Sequence, residues 1–334
     1  MTFGTEWGWG SEEGVARQVL DRYLEAGGNF IDTADLYTNG RSEELLGKFL
    51  SESGRRDEVV LATKFTFNAR PGDPNAGGNG RKNIMRALEG SLRRLKTDYV
   101  DLYWLHAWDT LTPAEEVVST LDGLVKAGKI RYYGLSDVPA WYYARVHTLA
   151  EARGMERPIA LQLEYSLIER AIEREHVPAA LELGAGICPW SPLGAGLLTG
   201  KYQKTDDGMG TGPGRLEQYR DPTSALFRFK ERNWPIAEAV VAVARELGRS
   251  PAQVALNWIT KRPGVSSTII GASKLEQLED NLTSLEFELP AALWARLEEA
   301  TRPPVDHPYT FFRGATQERI KGGTTIHREP RWFR

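Results

Sequence analysis

Short apolar runs rich in Val, Ile, Leu and aromatic residues recur at positions 29–33, 58–64, 99–106, 130–136, 159–164, 185–190 and 268–271, and each reads as a buried strand. Between them, apolar residues return at helical spacing over 12–26, 42–51, 82–95, 113–126, 140–153, 172–183 and 236–247. Helix ends carry their chemical punctuation. Thr112 and Pro113 stand at a start, and Gly27, Gly128 and Gly154 follow ends, where a residue without a side chain tolerates the left-handed turn.

Strand and helix alternate throughout without a Pro/Ser-rich linker, which argues for one parallel-strand α/β domain, either a closed (β/α)8 TIM barrel or an open doubly wound sheet. No strand is followed by G-x-G-x-x-G or G-x-x-x-x-G-K-[ST], so the phosphate-binding turn of an open nucleotide-binding sheet is missing and the barrel is favoured. The seven strand-like runs fall one short of a barrel, and the first clear element is already a helix. The first strand is therefore expected to be missing or truncated, with residues 1–8 supplying at most a stub. The connection over 191–233 is long, polar and Gly-rich, and 250–261 reads as an extra helix. The expected organisation is a barrel over 1–300 and a tail over 301–334, with its HPYTFFRG and PRWFR segments, packing on it.

Composition narrows the function classes. The 334 residues carry a net charge of −3, with charges of both signs mixed along the chain, so bulk electrostatics give nucleic acid no special attraction. No apolar run approaches the roughly 20 residues that cross a bilayer. The single cysteine, Cys188, cannot form an internal disulfide and is expected to pack in a strand. The histidines His106, His147, His176, His307 and His327 show no metal-ligand spacing, and the pair Asp206 and Asp207 has no further ligands nearby. The first residues lack a secretory or lipidation signal, so a cytoplasmic protein acting on small molecules is expected. Trp7, Trp9 and Trp108 fall in loops where they would wall an aromatic pocket or simply pack, whereas Trp141, Trp258 and Trp294 are expected to face the core outside the barrel.

Parallel barrels place their chemistry at the C-terminal ends of the strands. Asp32, Lys64 and His106 stand at such ends, and Tyr37 follows Asp32 in the next loop. Alternation puts Phe30 with Asp32, Ala62 with Lys64, and Leu102 and Trp104 with His106 on one face of each strand, so the polar ends point into the mouth. Such a group suits protonation of a carbonyl oxygen. Tyr37 is the candidate acid, with Lys64 expected to lower its pKa, Asp32 holding Lys64 charged and His106 orienting the carbonyl. A Schiff base at Lys64 would need a neutral amine, which Asp32 opposes.

The runs IDTADLYTNGRSEELLG (31–47), LATKF (61–65), DLYWLHAWD (101–109), GLSD (134–137), QLEYS (162–166), PWSPLGAGLLTGKY (189–202) and IIGASKLEQLEDNL (269–282) together resemble the aldo/keto reductases over nearly the whole chain, in the family's order. The resemblance implies a catalytic tetrad of Asp32, Tyr37, Lys64 and His106, and NADPH bound extended across the mouth as hydride donor to a small carbonyl substrate. It assigns Ser136, Asp137 and Gln162 to the nicotinamide carboxamide. Asp137 stands where many members have Asn, and an ionised Asp accepts from the amide but cannot donate to its oxygen. Trp190 corresponds to the aromatic residue that stacks on the nicotinamide. Ser191, Leu193, Gly194 and Gly196 correspond to the pyrophosphate loop, with Lys201 close behind. Gly271, Ala272, Ser273, Lys274, Gln277 and Asn281 correspond to the adenosine segment, with Asp280 near the adenine amino group; a lysine, a hydroxyl and backbone donors there favour a 2′-phosphate. The alternative is an NADPH-binding accessory or redox-sensing barrel with little turnover.

Overall fold

The computed structural model describes residues 1–324; His327 and the PRWFR segment lie outside the described residues. In chain order the elements are α1 (Glu13–Glu25), β1 (Phe30–Asp32), α2 (Arg41–Ser53), β2 (Val60–Phe65), α3 (Arg81–Leu95), β3 (Val100–Leu105), α4 (Ala114–Lys126), β4 (Ile130–Ser136), α5 (Ala140–Ala152), β5 (Ala160–Glu164), α6 (His176–Leu183) and β6 (Gly186–Trp190). A two-residue hairpin, β7 (Gln203–Lys204) and β8 (Gly210–Thr211), interrupts the long connection, and α7 (Trp234–Leu247), α8 (Pro251–Thr260), α9 (Leu275–Leu282), α10 (Ala291–Thr301) and α11 (Gly314–Lys321) follow. Gly27, Gly128 and Gly154 all adopt positive φ past their helices, and Ser250 caps α8 by accepting from Gln253 N at 3.1 Å, with Pro251 in its first turn.

β1 to β6 form one parallel sheet in sequence order. The sheet curls, because the Gln162 side chain on β5 reaches Asp32 at the end of β1. Inside the curl Ala62, Leu102, Trp104, Ala160 and Cys188 pack together, with Phe30 and Ile269 against them. That is the inward face expected from alternation, and Cys188 is buried in it, its thiol pushed up to about 12 by burial. The larger core lies outside the curl, between the sheet's other face and the helices.

Three expectations need correction. Residues 268–271 form no regular strand; the pairing begins earlier and overlaps them only at Ile269, with Ile187 donating to Gly264 O at 2.8 Å, Ser266 to Ile187 O at 2.9 Å and Ile269 to Pro189 O at 3.0 Å. This segment bonds along β6 but belongs to no ladder, which leaves it extended rather than a regular strand. The helix expected over 172–183 begins at His176, after a single 3-10 turn at Ala171–Glu173. Trp141 faces outward, 55% exposed, whereas Trp258 is fully buried with Trp294 stacked on it.

Ahead of α1 the chain forms a tight loop. Gly4 N donates to Ser11 O at 3.0 Å and Ser11 N to Thr2 O at 2.8 Å. A Cβ on Gly10 would come within 2.1 Å of Gly4 O, so that close approach requires glycine. The loop is pinned to the end of β1, since Thr38 Oγ1 lies 2.9 Å from Phe3 O.

Candidate active site

The site grows from the ends of β1 and β2. Past the last strand residues, Thr33 N donates to Ala62 O and Asp35 N to Lys64 O, which keeps the two chains in register up to the mouth. Lys64 is fully buried, and its three N–H groups find three acceptors: the Asp32 carboxylate, Thr33 O at 2.8 Å and the Tyr37 hydroxyl at 3.2 Å. Tyr37 accepts this bond, so its own hydrogen is free to point elsewhere. Asp32 also accepts from Gln162 Nε2 at 3.0 Å.

Electrostatics assign the protonation states. Burial alone would lower the Lys64 pKa, but Asp32 and Tyr37 outweigh it and raise it, so the amine stays charged. For Tyr37 the net shift is upward, contrary to the sequence expectation: burial outweighs the lowering by Lys64. The phenol thus holds its proton at neutral pH. His106, whose backbone N–H donates to Phe65 O at 3.1 Å, has its imidazole pushed well below the usual histidine range by burial and by Lys64, and is neutral. Its Nδ1 is buried with no hydrogen-bond partner, and its ring meets Tyr37 edge-on at 5.7 Å and Phe67 at 4.7 Å. Trp7 packs on Tyr37 at 6.1 Å and on Trp9 at 5.9 Å, whereas Trp108 turns to Trp141 and Tyr142 on α5, away from Tyr37.

Across the mouth stand the ends of β4, β5 and β6. Ser136 is buried and its hydroxyl makes no well-formed hydrogen bond, a group waiting for a polar partner. Asp137 adopts φ 46 and accepts from Trp190 Nε1 at 3.1 Å. Gln162 is buried on β5, and Glu164 beyond it pairs with Arg228 from the long connection.

The loop after β6 turns sharply through Ser191, Gly194, Ala195 and Gly196, all at positive φ. Ser191 Oγ accepts from Ala195 N at 2.9 Å, and Leu193 O accepts from Gly196 N at 2.9 Å. A Cβ on Gly194 would come within 2.5 Å of Ile168, and one on Gly196 within 3.0 Å of the Lys201 side chain. Two cations gather here. Burial and mutual repulsion lower the Lys201 pKa, and burial lowers that of Arg215. Neither has an ion-pair partner among the described residues, so the pair suits an anion. Arg215, whose guanidinium lies 4.9 Å over the Trp9 ring, was not legible in the sequence: it sits in an irregular connection whose path no periodicity predicts.

The 271–281 segment lies at the other end of the mouth. Gly271 approaches Thr2, Ser273 N bonds to Gln277 Oε1 at 2.9 Å, Lys274 precedes α9 and is exposed, and Asn281 is buried. Asp280 is bonded to Ser250 and Gln253 at 2.7 Å each, which ties α9 to α8.

Known proteins resemble this chain over most of its length. The profile of the Aldo/keto reductase family matches residues 1–302. An aryl-alcohol dehydrogenase of Pestalotiopsis microspora is 33% identical, the match covering 93% of this chain and 79% of that protein. A norsolorinic acid reductase of Emericella nidulans is 34% identical, covering 97% and 82%. A putative voltage-gated potassium channel subunit beta of Schizosaccharomyces pombe is 36% identical, covering 86% and 83%. With the family profile spanning nearly all of the curled sheet and its helices, this chain is an NAD(P)H-dependent oxidoreductase and belongs to the aldo/keto reductase family.

Proposed function

We propose that the protein reduces a small aldehyde or ketone to the alcohol with NADPH, with Tyr37 as proton donor. The observation that carries this is the Tyr37 hydroxyl, which accepts from a buried Lys64 ammonium and keeps its own proton available. Lys201, Arg215, the Ser191–Gly196 turn and the unsatisfied Ser136 hydroxyl fit a dinucleotide lying across the mouth, pyrophosphate at the cations and carboxamide at Ser136, Asp137 and Gln162. Ser273 and Lys274 at the start of α9 suit a 2′-phosphate, with Gln277 and Asn281 behind them. When bound, the nicotinamide supplies the hydride. His106 gives the carbonyl oxygen a hydrogen bond from a neutral imidazole. Tyr37 passes its proton to the oxygen as charge develops, and Lys64 steadies the phenolate left behind, itself held by Asp32. Trp190, Leu193 and Gly194 line the cofactor's path.

The curl of the sheet supports a (β/α)8 barrel as the complete architecture, with residues 301–324 as the described part of a tail against it. Two contacts favour that tail: Tyr309 donates to Glu175 at 2.5 Å and Arg174 to Pro304 O at 2.8 Å. Among the described residues no helix is long and apolar enough to cross a membrane.

The test is NADPH oxidation with a panel of aromatic and aliphatic carbonyls, repeated with Tyr37→Phe. Turnover should fall by about 10²-fold or more, the scale of a lost general acid, while the Kd for NADPH stays within about twofold because Tyr37 makes no contribution to the phosphate contacts. Unchanged turnover would refute Tyr37 as the acid. The likeness to a channel beta subunit favours a second reading, an accessory barrel, which NADPH binding without turnover of any carbonyl would support.

A further inference from the structure

The carboxylates at the strand ends are not equally neutralised. Asp32 is paired with Lys64 and Glu164 with Arg228. Asp137 has no cation within ion-pair distance among the described residues; its Oδ1 accepts from the neutral indole of Trp190 at 3.1 Å. Its backbone is held on both sides in a left-handed conformation, with its N–H on Gln162 O at 3.2 Å and its carbonyl accepting from Trp108 N at 3.4 Å. The side chain is thereby tethered across the end of β5, one negative charge against the edge of the Trp190 ring.

We propose that the Asp137 carboxylate, tethered to Trp190 and lacking a cation of its own, makes this site hold the oxidised nicotinamide more tightly than the reduced one. The inference rests on the assignment of this part of the mouth to the nicotinamide. The oxidised ring carries a positive charge and the reduced ring none, while the phosphates, ribose and adenine are the same in both. A carboxylate that no protein cation neutralises therefore discriminates between the two forms by charge alone. In a partly wet protein site, a unit charge pair separated by several ångströms is worth on the order of tenfold in binding. Stabilising the oxidised form draws hydride transfer on the enzyme toward the alcohol, and slows departure of the spent cofactor by the same interaction.

The charge on Asp137 depends on pH. The residue is open to water in the mouth but ringed by protein, and that desolvation together with the charge of Glu164 pushes its carboxyl up to about 7, against the opposing Trp190 hydrogen bond and Lys64. The groups facing it are Glu164 on β5 with its partner Arg228, Lys64 on β2, Ser136 beside it and Tyr37 across the mouth. The preference for the oxidised nucleotide should fade as pH falls through this range and grow as it rises.

The experiment measures Kd for NADP+ and for NADPH by quenching of protein fluorescence, in the unmodified protein and in Asp137→Asn, at about pH 5.5 and 8.5. Protonation of the 2′-phosphate cancels in the ratio of the two constants. In the unmodified protein the ratio should move about tenfold toward NADP+ between the two pH values. Asp137→Asn should show the low-pH ratio at both, and Glu164→Gln, which removes a neutralised charge, should keep the movement with pH. The same ratio and pH response in Asp137→Asn overturns the inference while leaving the nicotinamide site intact. If neither nucleotide binds the unmodified protein, the assignment of the mouth falls first and takes the inference with it.

Discussion

Thr38 bears directly on how Tyr37 is held. It is buried at φ 50 and ψ 41, a left-handed conformation that a β-branched residue adopts only under constraint, and Asn39 at φ 57 follows it. Its hydroxyl supplies the constraint: Oγ1 accepts from Ser42 N at 3.0 Å, which satisfies a free N–H in the first turn of α2, and lies 2.7 Å from Tyr37 O and 2.9 Å from Phe3 O. One side chain thus ties the Tyr37 backbone, the start of α2 and the N-terminal loop that carries Trp7. Thr38→Ala should keep the backbone strain and lose these bonds, lowering stability by about 1–2 kcal/mol, as for a lost helix cap. Thr38→Ser should recover most of it. Urea unfolding of both variants checks this, and equal loss in the two would show that the methyl group, not the hydroxyl, matters. The inward direction of Asp32, Lys64 and His106 was legible because strand alternation sets which way each points, whereas Tyr37, in the loop after β1, was picked out by its chemistry and by the resemblance. The role of Thr38 was not, since neither positive φ nor a three-way hydroxyl leaves a periodic trace.

At the scale of elements, α2 and α3 are joined to β2 by a charge network centred on a buried carboxylate. Glu43 on α2 is fully buried, bonded to Arg94 on α3 at 2.7 Å and to Thr63 on β2 at 2.5 Å. Asp35, just past β1, is buried beside it, and one carboxyl oxygen has no partner. Burial and the nearby Glu43 push the Asp35 carboxyl up to about 7, with Arg94 opposing. The native state therefore keeps a proton on Asp35 that the unfolded chain has released above its ordinary value near 3.8. Stability from this group is fully present below that value and falls as pH rises toward about 7. Asp35→Asn mimics the protonated form and should remove the slope. Relative to it, the unmodified protein should lose roughly 2–4 kcal/mol of unfolding free energy between about pH 5 and pH 8. A pH-independent difference in urea unfolding between the two proteins would show that Asp35 is not the titrating group. The helices themselves were legible from apolar spacing and glycine ends. The network was not, because Glu43 and Arg94, each inside an amphipathic helix, look like parts of the solvated face until tertiary packing brings them together.

The whole molecule depends on filling the inside of the curl. The alternation of strands and helices announced a parallel sheet, and Gln162 reaching Asp32 shows how far it bends. The extended 264–269 segment was read a few residues late, at 268–271, because its first residues pair along one edge without the apolar run of a central strand. Within the curl, register aligns Lys64 with Trp104, Trp104 with Gly134, Gly134 with Ala160 and Ala160 with Gly186. One indole fills the space, and three small residues leave it room. A Cβ on Gly134 would meet the Trp104 ring at 2.3 Å and Ala160 O at 2.8 Å, the second being rigid backbone. Trp104 is fully buried beside Lys64 and two residues before His106, so the indole has no direction of escape that spares the site. Gly134→Ala should therefore cost about 2–3 kcal/mol from overpacking and also lower kcat. Gly186→Ala lies in the same row but would meet the Ser266 hydroxyl at 2.5 Å, the end of a side chain that can rotate. Its cost should stay below about 1 kcal/mol, with turnover preserved. Thermal unfolding and steady-state rates on the pair separate the two cases. Equal effects at both positions would mean that the indole does not set the volume of the curl.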